Sequence, residues 1–265
     1  MPVLIDVDAD TFNMDIAALK KAITPRTKAI LPVHLFGQCA NMEAVLEIAK
    51  AHNLYVIEDT AQAIGADYTF ADGSIKKAGT MGDVGTTSFF PSKNLGCYGD
   101  GGAIFTNNDA LAYTLRGIVN HGMYTRYYHD VVGVNSRLDS IQAAILNIKL
   151  PLLDTYCKAR QEAAAYYTEA FKECENIVTP KISSYTSHVF HQYTIQVTGI
   201  DRDALHQHLL DYDIPCAIYY PVPLHLQKAY VDKRYNEADF KVTNTLINTV
   251  LSLPMHTEFD KEQLE

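Results

Sequence analysis

Two short apolar runs joined by one amphipathic stretch constrain the fold of this chain more than any other feature. Residues 29–35 read AILPVHL and residues 54–58 read LYVIE. Between them, MEAVLEIAKAH (Met42–His52) puts Val45, Leu46, Ile48 and Ala49 on one helical face. Strand, helix and strand at these lengths make a right-handed crossover, which needs parallel strands in a sheet covered on both faces. The pattern extends both ways. Val3–Val7 is a short apolar run, and Asp15–Ile23 (DIAALKKAI) has helical spacing with Asn13 as the expected N-cap. Gly85–Phe90 and Gly102–Thr106 are expected as two more strands, the second leading into a helix from about Asn108 to Val119.

The later part of the chain reads differently. Residues 136–174 are helical in pattern with one interruption, Pro151, which should end or kink the helix. Phe190–Val197 alternates apolar and polar as a half-exposed antiparallel strand would, followed by a helix at Asp201–Tyr212 and a strand at Cys216–Tyr220. The expected architecture is α/β: a mainly parallel sheet flanked by helices, plus a smaller α+β C-terminal domain. The boundary falls in the long helix, giving domains of residues 1–155 and 156–265. A chain of 265 residues accommodates this division.

Composition excludes several function classes. A net charge of −9 without a basic run argues against nucleic-acid backbone as a partner. No apolar run approaches the ~18 residues of a membrane span, and no basic-then-apolar leader precedes the first strand. Five widely spaced cysteines, never in a Cys-x-x-Cys pair, point to reduced thiols and a cytoplasmic setting. The ten histidines show neither i, i+4 pairs nor Cys partners, so no metal site is expected. His188 and His191 read as packed or surface histidines.

The chemistry-bearing pattern centres on Asp59 and Lys93. Asp59 directly follows the strand LYVIE, so it stands at the carboxyl end of a parallel sheet, where ligands bind. Gln62 would face the same crevice if a helical turn starts at Thr60. Alone, such an aspartate is more simply a helix cap. Lys93 follows SFFPS and precedes Gly96, Gly99, Gly101 and Gly102. A lysine amine is a poor nucleophile at its ordinary pKa of about 10.4, but desolvated beside an apolar wall it becomes an imine-forming residue. Phe89, Phe90 and Pro91 are the expected wall, Ser88 and Ser92 offer hydroxyls to a phosphate, and the glycines let backbone approach a flat ring. An acid to hold a pyridine nitrogen protonated and a lysine for an aldehyde are what pyridoxal phosphate requires. A solvated loop lysine is the bland alternative. Arg137 offers a fork for a carboxylate, with pairing to Asp139 as the competing reading.

EDTAQAIGADY, GTTSFFPSKNLGCYGDGGAIFTN and VGVNSRLDSIQAAIL closely resemble the DegT/DnrJ/EryC1/StrS sugar aminotransferases, and the resemblance runs nearly the whole chain. It implies a fold-type-I enzyme dependent on pyridoxal 5'-phosphate. It also implies Lys93 as the imine-forming, proton-moving lysine, Asp59 on the pyridine nitrogen, Gln62 near the ring hydroxyl and Ser88 on the phosphate. Asn135 would reach the cofactor of a second subunit, with Arg137 nearby, so a homodimer with a shared active site is implied. The wording looks most like enzymes that aminate C3 of a UDP-2-acetamido-3-keto-hexuronate, with glutamate as donor, for surface polysaccharides such as the lipopolysaccharide O-antigen. Where the family has His-Tyr-Pro, this chain has Tyr219-Tyr220-Pro221, which makes Tyr219 and Tyr220 the expected sugar-binding pair. The resemblance further expects an upstream segment with a Gly-Thr phosphate cradle and a ring-stacking aromatic before Pro2, and a last helix starting near Lys261. The large domain is therefore expected to be incomplete as it stands.

Overall fold

A computed structural model describes residues 1–264. The first half is built around a four-stranded sheet. Helix α1 (Ile16–Ala22) precedes strand β1 (Ala29–Ile30), and helix α2 (Met42–His52) leads to β2 (Tyr55–Asp59). A hairpin of β3 (Asp67–Thr69) and β4 (Ile75–Lys77) intervenes before β5 (Val84–Ser88) and β6 (Gly102–Phe105). The sheet order is β1-β2-β5-β6; β1, β2 and β5 run parallel and β6 closes the edge antiparallel. The expected crossover is therefore present, in a mixed and mostly parallel sheet. Leu19, Val45 and Ile48 of the helices pack with Ile30 and Val56 of the strands in the main core.

Helix α3 (Asp109–Val119) starts at Asn108, whose side chain accepts from Leu111 N–H. A short hairpin of β7 (Met123–Thr125) and β8 (Tyr128–His129) follows, then α4 (Ser140–Lys149) and α5 (Leu153–Ala170). One 3-10 turn with Pro151 separates the last two, as the missing proline N–H demands. α5 contributes Leu153 and Cys157 to the main core and Ala164 and Tyr167 to another. That second core lies on an antiparallel sheet of β9 (Ile177–Val178), β10 (Tyr193–Val197) and β11 (Val250–Leu253), joined by α6 (Arg202–Asp211) and α7 (Lys241–Thr249). A last short helix, α8, covers Lys261–Leu264.

Several local expectations change. Asp15, not Asn13, caps α1, by accepting from Ala18 N–H. Asn13 is buried instead, donating to Gln38 O (3.2 Å) and accepting from Leu35 N–H (3.0 Å). Residues 29–35 hold regular pairing for only two residues, because Pro32 cannot donate to the ladder; Val33 rejoins as an isolated bridge to Asp59. Val3–Val7 forms no strand, and Asp6 instead accepts from Val242 N–H and Thr243 N–H (both 2.9 Å) at the start of α7. β10 is buried rather than half-exposed: Thr194, polar in the pattern, bonds Ser252 through its hydroxyl at 2.8 Å. Residues 216–220 contribute a single bridge, Ala217 to Ser252.

Candidate active site

The two parallel strands that end nearest the crevice, β2 and β5, fix the site. Asp59 pairs with Thr86, so Asp59 and Ser88 stand at the same sheet edge. Below them, Glu58 points into the interior with its side chain fully buried against an equally buried His34, Nε2 to Oε2 2.9 Å. Ala40 N–H donates to His34 Nδ1 (3.1 Å), so the imidazole proton sits on Nε2, facing the carboxylate. Glu58 also accepts from Gly79, Met81 and Gly82 N–H at 2.9, 2.7 and 2.6 Å. Burial alone would raise its pKa; the His34 bond and those backbone bonds outweigh it and hold the carboxyl below its ordinary range. The end of β2 is thereby clamped to the loops at 34–40 and 79–82.

Asp59 continues that rigid strand. Its N–H donates to Pro32 O (2.9 Å), its carbonyl accepts from His34 N–H (3.0 Å), and its Oδ1 accepts from Ala61 N–H (3.0 Å). The side chain thus opens a turn, the local role an aspartate there takes. Gln62 is held at both ends: Oε1 accepts from Phe36 N–H (2.6 Å) and Nε2 donates to the Tyr220 hydroxyl (3.1 Å). Phe36 supplies that N–H from a left-handed conformation, φ 57°.

Lys93 is half-buried on the turn after β5, where its N–H donates to Phe90 O (2.9 Å). Desolvation lowers the pKa of its amine, and the nearby Asp59 carboxylate partly opposes that. The acid and the lysine are therefore brought together. Ser88 Oγ accepts from Phe90 N–H at 3.2 Å. Two expectations shift here. Phe89 turns into the main core while Phe90 is half exposed, so the aromatic pair is not one continuous wall. The glycines make room for the chain itself: a Cβ on Gly96 would meet Pro91 O at 2.4 Å and one on Gly102 would meet Thr87 O at 2.7 Å. Cys97 is buried, its thiol donating to Phe89 O and Gly99 O (both 3.0 Å).

Other expected site residues lie apart. Arg137 Nε donates to Asn135 Oδ1 (2.9 Å) rather than to Asp139, and both are exposed. Among the described residues neither bonds to Asp59, Gln62, Ser88 or Lys93. Tyr219 and Tyr220 line an apolar cavity of about 270 Å³ with Phe12, Phe36 and Leu246. Tyr220 joins the crevice through Gln62; Tyr219 packs beside Phe36. Sequence reasoning missed the His34–Glu58 clamp and the left-handed turn at Phe190. The signal for the first was present, since a Glu and a His inside apolar strand runs require a buried partner. The described residues contain no group of three His, Cys, Asp or Glu side chains able to hold a metal, and no helix long and apolar enough to cross a membrane.

An acid and a desolvated lysine at the carboxyl edge of a mostly parallel α/β sheet define a carbonyl-handling class of enzyme. The chain belongs to the DegT/DnrJ/EryC1/StrS aminotransferase family, whose model matches residues 1–265. It is 48% identical over 264 residues to a pleiotropic regulatory protein of Geobacillus stearothermophilus, covering 99% of this chain and 69% of that protein. It is 44% identical to the UDP-2-acetamido-2-deoxy-3-oxo-D-glucuronate aminotransferase of Pseudomonas aeruginosa, covering 100% of this chain and 70% of the relative. Among solved structures it is similar to Streptomyces venezuelae DesV in complex with a ketimine intermediate, at a TM-score of 0.93 and 39% identity, covering 100% of this chain and 69% of DesV.

Proposed function

We propose that this chain carries the lysine-bearing crevice of a pyridoxal-phosphate-dependent aminotransferase that moves an amino group from glutamate to a nucleotide-linked keto sugar. The favoured acceptor is C3 of a UDP-2-acetamido-3-keto-hexuronate, on the way to an amino sugar of a surface polysaccharide. The observation that carries the reading is the half-buried Lys93 amine, lowered in pKa by desolvation and set beside Asp59 at the sheet edge. The 44% identity to an aminotransferase of that sugar class supports the acceptor.

The residues fit the cofactor by their chemistry. Asp59 would hold its ring nitrogen, Lys93 its aldehyde, Gln62 its ring hydroxyl and Ser88 its phosphate; bound there, it supplies an electron sink for the carbon that loses a proton. Lys93 does the rest of the work in this proposal. Its lowered pKa keeps a larger share of the amine neutral near pH 7, so it can take a proton from one carbon and return it to another. The clamped end of β2 keeps the Asp59 carboxylate from moving. Asn135 and Arg137 serve the site of a second copy, which makes the working form a homodimer; Tyr219 and Tyr220 border the sugar. Three buried free thiols, Cys39, Cys97 and Cys157, suit the cytoplasm.

The test is a visible spectrum of the purified chain with pyridoxal phosphate. An absorbance band that glutamate changes and that Lys93→Ala abolishes is the expected result. The similarity to a pleiotropic regulatory protein of Geobacillus supports a second reading, a regulatory partner without catalysis. A folded chain that stays colourless with excess cofactor would overturn the first reading in favour of that one.

A further inference from the structure

The turn that carries Lys93 opens an irregular loop. Asn94, Leu95, Gly96 and Cys97 are buried, yet none of them lies in a strand whose ladder could satisfy its backbone. A buried carbonyl or N–H without such a partner has to find one elsewhere. Inside the loop, Cys97 N–H donates to Phe89 O and Phe89 N–H to Gly101 O (both 2.8 Å). Helix α4 supplies the rest. Lys149 Nζ donates to Gly96 O at 2.6 Å, and Gln142 Oε1 accepts from Tyr98 N–H at 2.8 Å. Gln142, Leu146 and Lys149 recur at i, i+4 and i+7, so they share one helical face, and Leu146 roots that face in the main core. Among the described residues the Lys149 ammonium pairs with no carboxylate; it lies over the Tyr98 ring of the same loop, 5.8 Å from the centroid. Gly96 in turn rests on the start of the turn: a Cβ there would meet Pro91 O at 2.4 Å and Phe90 O at 2.9 Å. Phe90 O is the acceptor of Lys93 N–H (2.9 Å). The path from the ammonium to the lysine therefore runs through Gly96 and the Phe90–Pro91 backbone, with no second mobile side chain between.

We propose that Lys149 is a positioning residue for Lys93: its ammonium, bonded to Gly96 O, holds the Phe90–Lys93 turn in place. Among the described residues Lys149 bonds to none of Asp59, Gln62, Ser88 or Lys93, so it acts through the loop and not in the crevice. On the other side of the loop, Asn94 Nδ2 donates to Val189 O (2.8 Å). A charge-assisted bond to a buried carbonyl is stronger than a neutral one, and an arginine can make it where a methionine of similar length cannot. The bearing of Lys149 on cofactor binding rests on the function proposed above; its hold on the turn does not.

The experiment is amide hydrogen exchange of the whole chain without cofactor, read at single residues by NMR. In Lys149→Met the Lys93, Cys97 and Tyr98 amides should exchange about tenfold faster than in the parent, the scale that one lost hydrogen bond sets. Amides of β2 and β10 should keep their rates, and Lys149→Arg should restore the loop. Lys149→Gln, polar but shorter and uncharged, serves if the methionine form fails to fold. Unchanged exchange at the Lys93 amide in a folded variant overturns the proposal. An equal rise across the whole chain does so too, since it would make Lys149 a general stabiliser. Pyridoxal phosphate then separates the two readings. The concentration that gives half of the visible band should rise about tenfold in Lys149→Met and return in Lys149→Arg. A loosened turn that binds pyridoxal phosphate as the parent does also overturns the positioning role. No band in the parent sinks the aminotransferase while the exchange rates still decide the hold of Lys149, and a band with unmoved exchange does the reverse.

Discussion

Around Asp59 the chain buries polar groups and partners almost all of them; between residues 121 and 137 it does nearly the opposite. His34, Glu58 and Thr60 are fully buried beneath the crevice. In the second region Tyr127 and Tyr128 are exposed, Val132 is 98% exposed, and Asn135 and Arg137 bond chiefly to each other. The first region is finished within one chain. The second presents apolar and polar groups outward, as a surface does when its partners lie elsewhere. The comparison teaches that rigid strand ends finish the setting of the acid and the lysine within one chain, whereas the 121–137 region is left open to solvent.

The sharpest way to break this contrast is at Glu58. Glu58→Ala removes the acceptor of three backbone N–H groups and of His34, stranding four buried donors. It should cost about 3–5 kcal/mol, read by urea unfolding, because breaking a buried network leaves its partners uncompensated. The same clamp predicts acid sensitivity. Glu58 is depressed in the folded state, so its contribution is complete above the ordinary carboxylate value of 4.5 and is lost as pH falls through the lower folded value. His188 and His191 are depressed from 6.5 to about 3, each by burial first. Unfolding therefore takes up protons throughout the range from 6.5 to 3, and stability should fall steadily across it. A flat stability profile over that range would contradict the burial on which the comparison rests.

How much of this was legible beforehand divides along the same line. The crossover, the helix beginning near Asn108 and the Pro151 break follow from local spacing and from what one residue type can do, so they could be read directly. The positions of Asp59 at a strand end and of Lys93 on a turn were legible because strand ends and glycine turns announce themselves in sequence. That His34 and Glu58 each needed a buried partner was legible, but that they would meet was not, since they are 24 residues apart and only folding decides that they share one cavity. His191 was hidden for the same reason. Its buried place depends on a left-handed Phe190, and no propensity predicts a bulky residue there. The glycines misled in the other direction: their spacing was plain, but the atoms they make room for belong to residues several positions away.

A middle-sized effect tests the seam between the crevice and the turn at Phe190 and His191. Gly37 sits at φ 118°, and a Cβ there would meet Phe190 N at 2.7 Å and His191 N at 3.0 Å. Neither is the movable tip of a side chain. Gly37→Ala should therefore cost about 1–3 kcal/mol of stability, through strain at a position that alanine disfavours. It should also weaken cofactor binding, because Phe36 would carry its N–H away from Gln62. A variant as stable as the parent would mean that the two strained turns are not packed as described.

The smallest effect is expected where the second region continues into α4. Ile141 and Ile148 are 74% and 72% exposed and lie seven residues apart, two turns along one helical face. Within one chain these side chains give up little water on folding, so Ile148→Asp should change the unfolding free energy of a dilute, monomeric sample by no more than about 0.5 kcal/mol. The same change placed against a second copy would bury a charge without a partner, which association does not tolerate. Sedimentation of parent and variant over a range of concentrations separates the two cases. If the parent associates and Ile148→Asp does not, while both unfold alike when dilute, the outward face is where a second copy sits. If Ile148→Asp destabilises the dilute chain by several kcal/mol, the contrast between a finished crevice and an unfinished surface was drawn in the wrong place.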